Sequence, residues 1–354
     1  MTTHLQLKSS TTVALPPCAL VSWPANDRFL IVGTYELEKE SGRRRGSLDV
    51  YDIGAGRLEL VNSVASPESS ILDIKISPHD PSLLVSAHST GNICVWRVRE
   101  EQNDKNSPSL SLTLLSDLKV ADDSDTLVLA LSFSPTTADQ VSVTLTSGEW
   151  KVLSLARGSD DDAEVVSSVT EVHGEQPHSL EAWISAFSAD GSVLYTGGDD
   201  CLFTANDLRL GCQVWQDRRT HAAGVTSILT NTVQAVSFDE KTLWTGSYDD
   251  TIRVWDLRGA RGKVVGETNL GGGVWRLVPR PGGGSREEVF ACCMYDGGKV
   301  VVPGSGEDGE AVEVVRVVKE GHESMVYGAD WTTDGSVVAS CSFYDKQLNL
   351  WQYA

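Results

Sequence analysis

Along most of the chain, apolar and polar residues alternate over short runs, and each run is broken by Gly, Asp, Asn or Ser. Period-two alternation gives a strand with one buried face, and the breaks supply turns. The clearest instance is Leu243–Arg258, LWTGSYDDTIRVWDLR. A β-rich run ends at Gly246, a tight acidic turn follows at Tyr248-Asp249-Asp250, and Thr251–Trp255 then alternates with Ile252 and Val254 on the inner face. The closing Val-Trp-Asp marks the third strand of a propeller blade.

Copies of this stretch recur. The slot of Trp255 is filled by Tyr51, Trp96, Leu153, Asn206, Val301 and Trp351, at successive spacings of 45, 57, 53, 49, 46 and 50 residues. That is about the 40–45-residue period of a WD repeat, lengthened by loop insertions. GGDDCLFTANDLR aligns without gaps on GSYDDTIRVWDLR. Asp200, Asp249 and Asp345 each stand six residues before the Trp slot, which suits an Asx-type turn between the second and third strands. Seven copies predict an all-β, seven-bladed propeller of one domain, 1–354. The blades are expected near 17–53, 68–99, 112–156, 164–209, 212–258, 263–303 and 312–354. The chain stops three residues after its last Trp slot, so residues 4–15, with runs at His4–Lys8 and Thr11–Leu15, are expected to lend the last blade its outer strand. Very little helix is expected.

Composition changes the picture only slightly. A net charge of −20 argues against a nucleic-acid partner, which would want a basic surface. Seven scattered cysteines without C-x-x-C spacing suggest a reducing compartment and no zinc site. No signal-like or membrane-length apolar run is present, so a cytoplasmic protein with no membrane partner is expected. No metal or cofactor is expected. Arg43-Arg44-Arg45 sits in an insertion at Glu36–Gly46, read either as a solvated loop or as a basic handle. Glu100–Ser109 reads as an outer loop, Ser159–Asp162 as a flexible acidic tract, and Pro281–Ser285 as a glycine-rich turn.

His221, Thr245, Asp249 and Trp255 have the offsets of a buried polar chain that holds a blade together. His322, Asp345 and Trp351 repeat it, with Cys341 in the hydroxyl slot. His178 has Thr196 and Asp200, but Asn206 replaces the Trp, and Glu181 and Trp183 follow closely. His178 is therefore either structural or a functional base beside a carboxylate. No hydrolase fingerprint stands at a strand-to-helix turn; the fragment Gly304-Ser305-Gly306 is discounted.

The stretches HSLEAWISAF, YTGGDD, LWTGSYDDTIRVWDLR, GGGVWRL, ACCMYDGGK, ESMVYGADW and SCSFYDKQLNLW together resemble one family, the eukaryotic WD-repeat diphthine methyl ester hydrolases, over roughly residues 17–354. The resemblance implies a carboxylic ester hydrolase of diphthamide biosynthesis, acting on translation elongation factor 2, where it would remove the methyl ester from the over-methylated intermediate. A non-catalytic scaffold bridging elongation factor 2 to another enzyme of the pathway is the alternative; an unrelated adaptor is disfavoured. The intermediate carries a trimethylammonium group, which aromatic rings recognise well. The expected substrate-binding residues are Trp183, Trp275, Arg276, Tyr327 and Tyr344, with Tyr248 a further aromatic candidate. His178 and Glu181 are the expected catalytic residues, with Ser324 beside His322 as a possible nucleophile. The pocket is expected where the loops entering blades 4, 6 and 7 converge.

Overall fold

The computed structural model describes residues 3–102, 107–123, 125–157, 166–231, 241–282, 287–304, 310–318 and 320–353. The acidic tract Ser159–Asp162 and part of the turn at Pro281–Ser285 lie outside them.

Seven sheets form the molecule, antiparallel except for one short parallel pair at the edge of the sixth. Their innermost strands are Pro17–Ser22, Ile71–Ile76, Val128–Phe133, Ala182–Phe187, Val225–Leu229, Val274–Pro279 and Val326–Trp331. Each innermost strand packs against that of the next blade, and the last returns to the first, so the ring is closed. The alternating pattern explains why. Both faces of a blade carry apolar side chains, and seven separate buried clusters each fill the space between two neighbouring blades. Polar bridges cross the same boundaries nearer the axis. The Ser22 N–H donates to Asp330 at 2.9 Å, the Leu131 N–H to Asp73 at 2.9 Å, and the Leu277 N–H to the Ser227 hydroxyl at 3.1 Å. Among the described residues the sole helical turn is a 3-10 turn at Met294–Asp296.

Closure uses the N-terminus. Gln6–Thr12 lies antiparallel to Gln347–Gln352, pairing Leu7 with Trp351 and Thr11 with Leu348. The two expected runs are thus a single strand, bent by a bulge between Leu7 and Ser9. Ahead of it, Thr3–His4 runs parallel to Arg316–Val317 on the edge of blade 6, so the terminus ties two blades together.

Several expected boundaries change. The spans opening at 112, 212, 263 and 312 begin within strands Pro108–Lys119, Cys212–Asp217, Lys263–Asn269 and Val312–Val318, and the span opening at 164 takes in Val166–Glu175; each of these is the outer strand of the preceding sheet. A sequence repeat and a spatial blade are therefore offset by one strand, an overlap that links neighbouring blades covalently. The insertion at Glu36–Gly46 is no loose loop. Glu36–Leu37 pairs with Arg44–Arg45, Arg45 reaches Glu36 at 2.6 Å, and Arg43 reaches Glu68 at 3.4 Å. Both ends of Glu100–Ser109 are strand: Asn92–Gln102 continues through Glu100, and Pro108 begins the next.

Candidate functional site

In all seven blades the innermost strand carries a β-bulge at the same place, after its first residue. The unpaired residue is Cys18, Leu72, Leu129, Trp183, Thr226, Trp275 or Tyr327 in turn. A bulge puts two residues opposite one and re-aims the extra side chain. The three aromatic members come from blades 4, 6 and 7 and meet. The Trp183 and Trp275 ring centroids are 5.5 Å apart, and those of Trp275 and Tyr327 are 4.7 Å apart. Blade 5 has only the small Thr226 at this position. Its second turn supplies Tyr248 instead, 6.2 Å from Trp183 and 5.5 Å from Trp275. Met294 and Met325 are buried in the same cluster. Phe343 carries the ring system outward, 5.5 Å from Tyr327 and 5.1 Å from Tyr344, and Tyr344 is exposed at the rim.

Local sequence explains this convergence. Gly271, Gly272 and Gly273 all adopt positive φ, 72°, 81° and 69°. A Cβ on Gly272 would lie 2.5 Å from the Asp296 backbone nitrogen, and the Gly273 N–H donates to Asp250 at 2.6 Å. Only glycine lets the loop entering blade 6 fold this tightly and set Trp275 under its neighbours. Gly224 plays a different part. A Cβ there would stand 2.8 Å from the Asp199 carboxylate and 3.1 Å from the Tyr248 ring, so its bareness makes room for both.

The basin holds two charges. The Trp183 indole N–H donates to Asp199 at 3.0 Å, and the Asp199 N–H donates to the Glu181 carbonyl at 2.8 Å. Arg276 lies half-buried, its guanidinium carbon 5.3 Å from the centroid of the Trp275 ring. Burial raises the pKa of Tyr248; Asp199 raises it further and Arg276 lowers it. Burial likewise raises Tyr327, Cys18, Cys292 and Cys341, with Arg276 acting against it in each case. Arg276 follows the bulged Trp275 on the innermost strand of blade 6.

Trp183, Trp275, Arg276, Tyr327 and Tyr344 therefore occupy one region, as does Tyr248. His178 does not join them as a base. Its ring is wholly buried; Nδ1 contacts Asp200 at 3.0 Å and Nε2 contacts Thr196 at 2.9 Å, so no nitrogen is free for water. This histidine belongs to the framework of blade 4, and no described contact joins it to the Glu181 side chain. Ser324 has no base either. Its hydroxyl accepts from the Tyr344 N–H at 3.0 Å, while His322 is held by Ser342 and Ser340 at 2.7 Å each. The hydroxyl slot of blade 7 is accordingly Ser340, which also accepts from Trp351 at 2.8 Å, and not Cys341. The reason is a turn one residue longer than in blade 5.

Asp199 and Phe343 were missed in the sequence. A signal existed for Asp199: the gap-free alignment of blades 4 and 5 places it in the slot of Tyr248, just before the turn aspartate. Tyr344 fills that slot in blade 7. One slot thus feeds the same basin from three blades.

Residues 216–256 and 313–352 match the WD domain, G-beta repeat family. A Saccharomyces cerevisiae protein named diphthine methyltransferase is 35% identical, over 95% of this chain and 95% of its own length. A Schizosaccharomyces pombe protein of the same name is 33% identical, over 93% of this chain and 95% of its own. Among solved structures, a chain in a mitotic checkpoint complex superposes with a TM-score of 0.71 over 99% of this chain and 93% of that one, at 16% identity, a likeness of fold alone. The names overturn one expectation. They state a methyl transfer on diphthine, so the expected carboxylic ester hydrolase, and with it both methyl ester removal and the non-catalytic scaffold, is withdrawn. The His178 ring is bonded at both nitrogens and the Ser324 hydroxyl accepts from the Tyr344 N–H, so neither is arranged as the expected base or nucleophile.

Proposed function

The chain belongs to the diphthine methyltransferase family, WD-repeat proteins of the diphthamide pathway, and from that premise we propose that it takes the modified histidine side chain of translation elongation factor 2 into the aromatic basin at the step where a methyl group is transferred. The observation that carries this reading is the meeting of Trp183, Tyr248, Trp275 and Tyr327, drawn from four successive blades. A quaternary ammonium cannot donate a hydrogen bond, so rings and charge are what recognise it. Each desolvated ring face adds roughly 1–2 kcal/mol. Tyr344, exposed on the rim, is placed to meet the protein that presents the side chain. We infer a cytoplasmic site of action, supported by seven free cysteines; no described helix is long and apolar enough to cross a membrane.

The experiment uses the purified protein, elongation factor 2 carrying the diphthine intermediate, and a sulfonium methyl donor, which leaves as its thioether once the methyl has moved. Mass spectrometry of the modified histidine should show a gain of one methyl mass, and Trp183→Ala should abolish it. Absence of both binding and mass change with the wild-type protein would overturn the reading.

A further inference from the structure

Blade 1 departs from the other six in its second turn. Elsewhere three or four residues join the second and third strands, 248–250 in blade 5 and 343–346 in blade 7 among them, but 35–43 do so in blade 1. The extra length folds into the hairpin of Glu36–Leu37 on Arg44–Arg45, which ring closure does not need. The hairpin stands on the face that holds the basin, because the equivalent turns carry Tyr248 and Tyr344, and the Tyr35 ring lies 6.0 Å from that of Phe343. Its shape is held from within and from blade 2. The Glu38 N–H donates to the Arg43 carbonyl at 2.9 Å, and the Ser70 hydroxyl donates to the Arg45 carbonyl at 3.0 Å. In a chain of net charge −20, this hairpin gathers Lys39, Arg43, Arg44 and Arg45. Its two sides differ. On one, Arg45 is neutralised by Glu36, which also lies 3.8 Å from Lys346 of blade 7. On the other, Arg44 stands opposite Leu37, which is exposed. Residues directly opposite in an antiparallel pair share a side. Among the described residues the Arg44 side chain makes no hydrogen bond and no ion pair, and its Nε is buried without an acceptor.

We propose that this hairpin is a docking arm for the protein that presents the modified histidine, and that its open side takes an acidic residue with an apolar neighbour on that protein's surface. A carboxylate would accept the N–H groups that Arg44 leaves unmatched, and the apolar neighbour would cover Leu37. An arginine beside an exposed apolar side chain is the make-up of an interface anchor. Nucleic acid fits less well, because a chain of net charge −20 repels a polyanion. Charged contacts outside the reacting centre act on encounter and affinity and leave the chemistry alone. The arm therefore bears on KM for a protein substrate. This rests on the reading that a protein brings its side chain to the basin, and it adds where that protein is gripped.

The test measures methyl transfer by the full chain, with a sulfonium donor, to two acceptors: elongation factor 2 carrying diphthine, and a peptide with the same modified histidine that is too short to reach the hairpin. Arg44→Met keeps the apolar stem and removes the charge. It should raise KM for elongation factor 2 by about ten-fold at low salt, the scale of one charge-assisted contact, and by less at high salt. kcat and all transfer to the peptide should stay unchanged, which also shows that the variant is folded. Lys39→Met makes the same charge change at the tip of the turn and should have little effect. An unchanged KM in Arg44→Met, an equal loss on the peptide, or an equal effect of Lys39→Met would overturn the proposal. So would an RNA oligonucleotide that binds the wild-type protein but not Arg44→Met, with KM for elongation factor 2 unmoved. Should the wild-type protein transfer no methyl, calorimetric titration with elongation factor 2 decides the matter separately. Binding about ten-fold weaker in Arg44→Met would keep the docking arm and remove the reading of function. Transfer without any role for Arg44 would do the reverse.

Discussion

Blades 4 and 5 align without a gap from the second strand into the third, and their buried histidines end up differently. In blade 4 the His178 ring is bonded at both nitrogens, to Asp200 and Thr196. The chain continues from Thr196 to Thr204 at 2.7 Å and from Thr204 to Asn206 at 2.9 Å. In blade 5, His221 contacts Thr245 at 2.9 Å, which also accepts from Trp255 at 2.9 Å, but Nδ1 is buried with no partner. Thr204 and Arg253 explain the contrast, for they occupy the same slot. Arg253 lies 2.9 Å from Asp249 and draws the turn aspartate away from the histidine. Thr204 makes no such claim, so Asp200 serves His178. Between these two blades, the slot four residues after the turn aspartate separates an aspartate held by arginine from one that holds histidine. Of these two blades, the one without its tryptophan has the histidine bonded at both nitrogens, whereas His322 and His88 are bonded at both in blades that keep theirs.

The largest effects should come from the aspartates. Asp249→Ala leaves the buried Arg253 guanidinium with only the Glu267 carboxylate, 3.4 Å away, and should cost about 3 kcal/mol in urea unfolding. Asp200→Ala strips His178 and the Ser179 and Leu202 amides of an acceptor and should cost about 1–3 kcal/mol. The reverse order would break the comparison.

The histidines come next. His178→Ala should lower the melting temperature more than His221→Ala, since it abandons two partners and His221→Ala only one. Equal losses would mean that the second bond in blade 4 contributes nothing.

Titration sharpens the contrast. Burial, then the Arg253 field, lowers His221 to about 4, and burial alone is the leading cause that takes His322 and His88 to about 4. Their unfolded forms take up protons near pH 6.5 while the native forms do not, so stability falls as pH drops from about 6.5 toward 4. Asp330 works the other way. Burial raises it to about 6, so the native state holds its proton first and gains stability as pH falls from 6 toward the ordinary carboxylate range. One such carboxyl offsets part of the loss from three histidines. Arg253→Thr should free Asp249 for His221 and move that histidine's NMR titration upward.

The smallest effect on stability should belong to Gly224→Ala. Its new Cβ would press on Asp199 of blade 4 and Tyr248 of blade 5, where the two blades meet at the basin. Methyl transfer to elongation factor 2 should slow by a few fold with the unfolding midpoint nearly unchanged. A fall in stability without loss of transfer would place Gly224 in the framework.

The sequence by itself determined the propeller, because period-two alternation, turn aspartates and a spacing near the repeat length are local properties that survive wherever the strands end up. The family resemblance pointed to the aromatic residues of the basin, and the structure shows their places: Trp183, Trp275 and Tyr327 on the bulge of an innermost strand, Tyr248 and Tyr344 in a second turn. The sequence went astray on His178. Offsets identify which residues can meet, but not which of two competing partners an aspartate takes, and that depends on whether Thr204 or Arg253 stands across the strand. Asp199 acquires its meaning in the same way. Only the closed ring brings the Trp183, Tyr248, Trp275 and Tyr327 rings of four blades together, and only side-chain packing sets the Trp183 indole on Asp199.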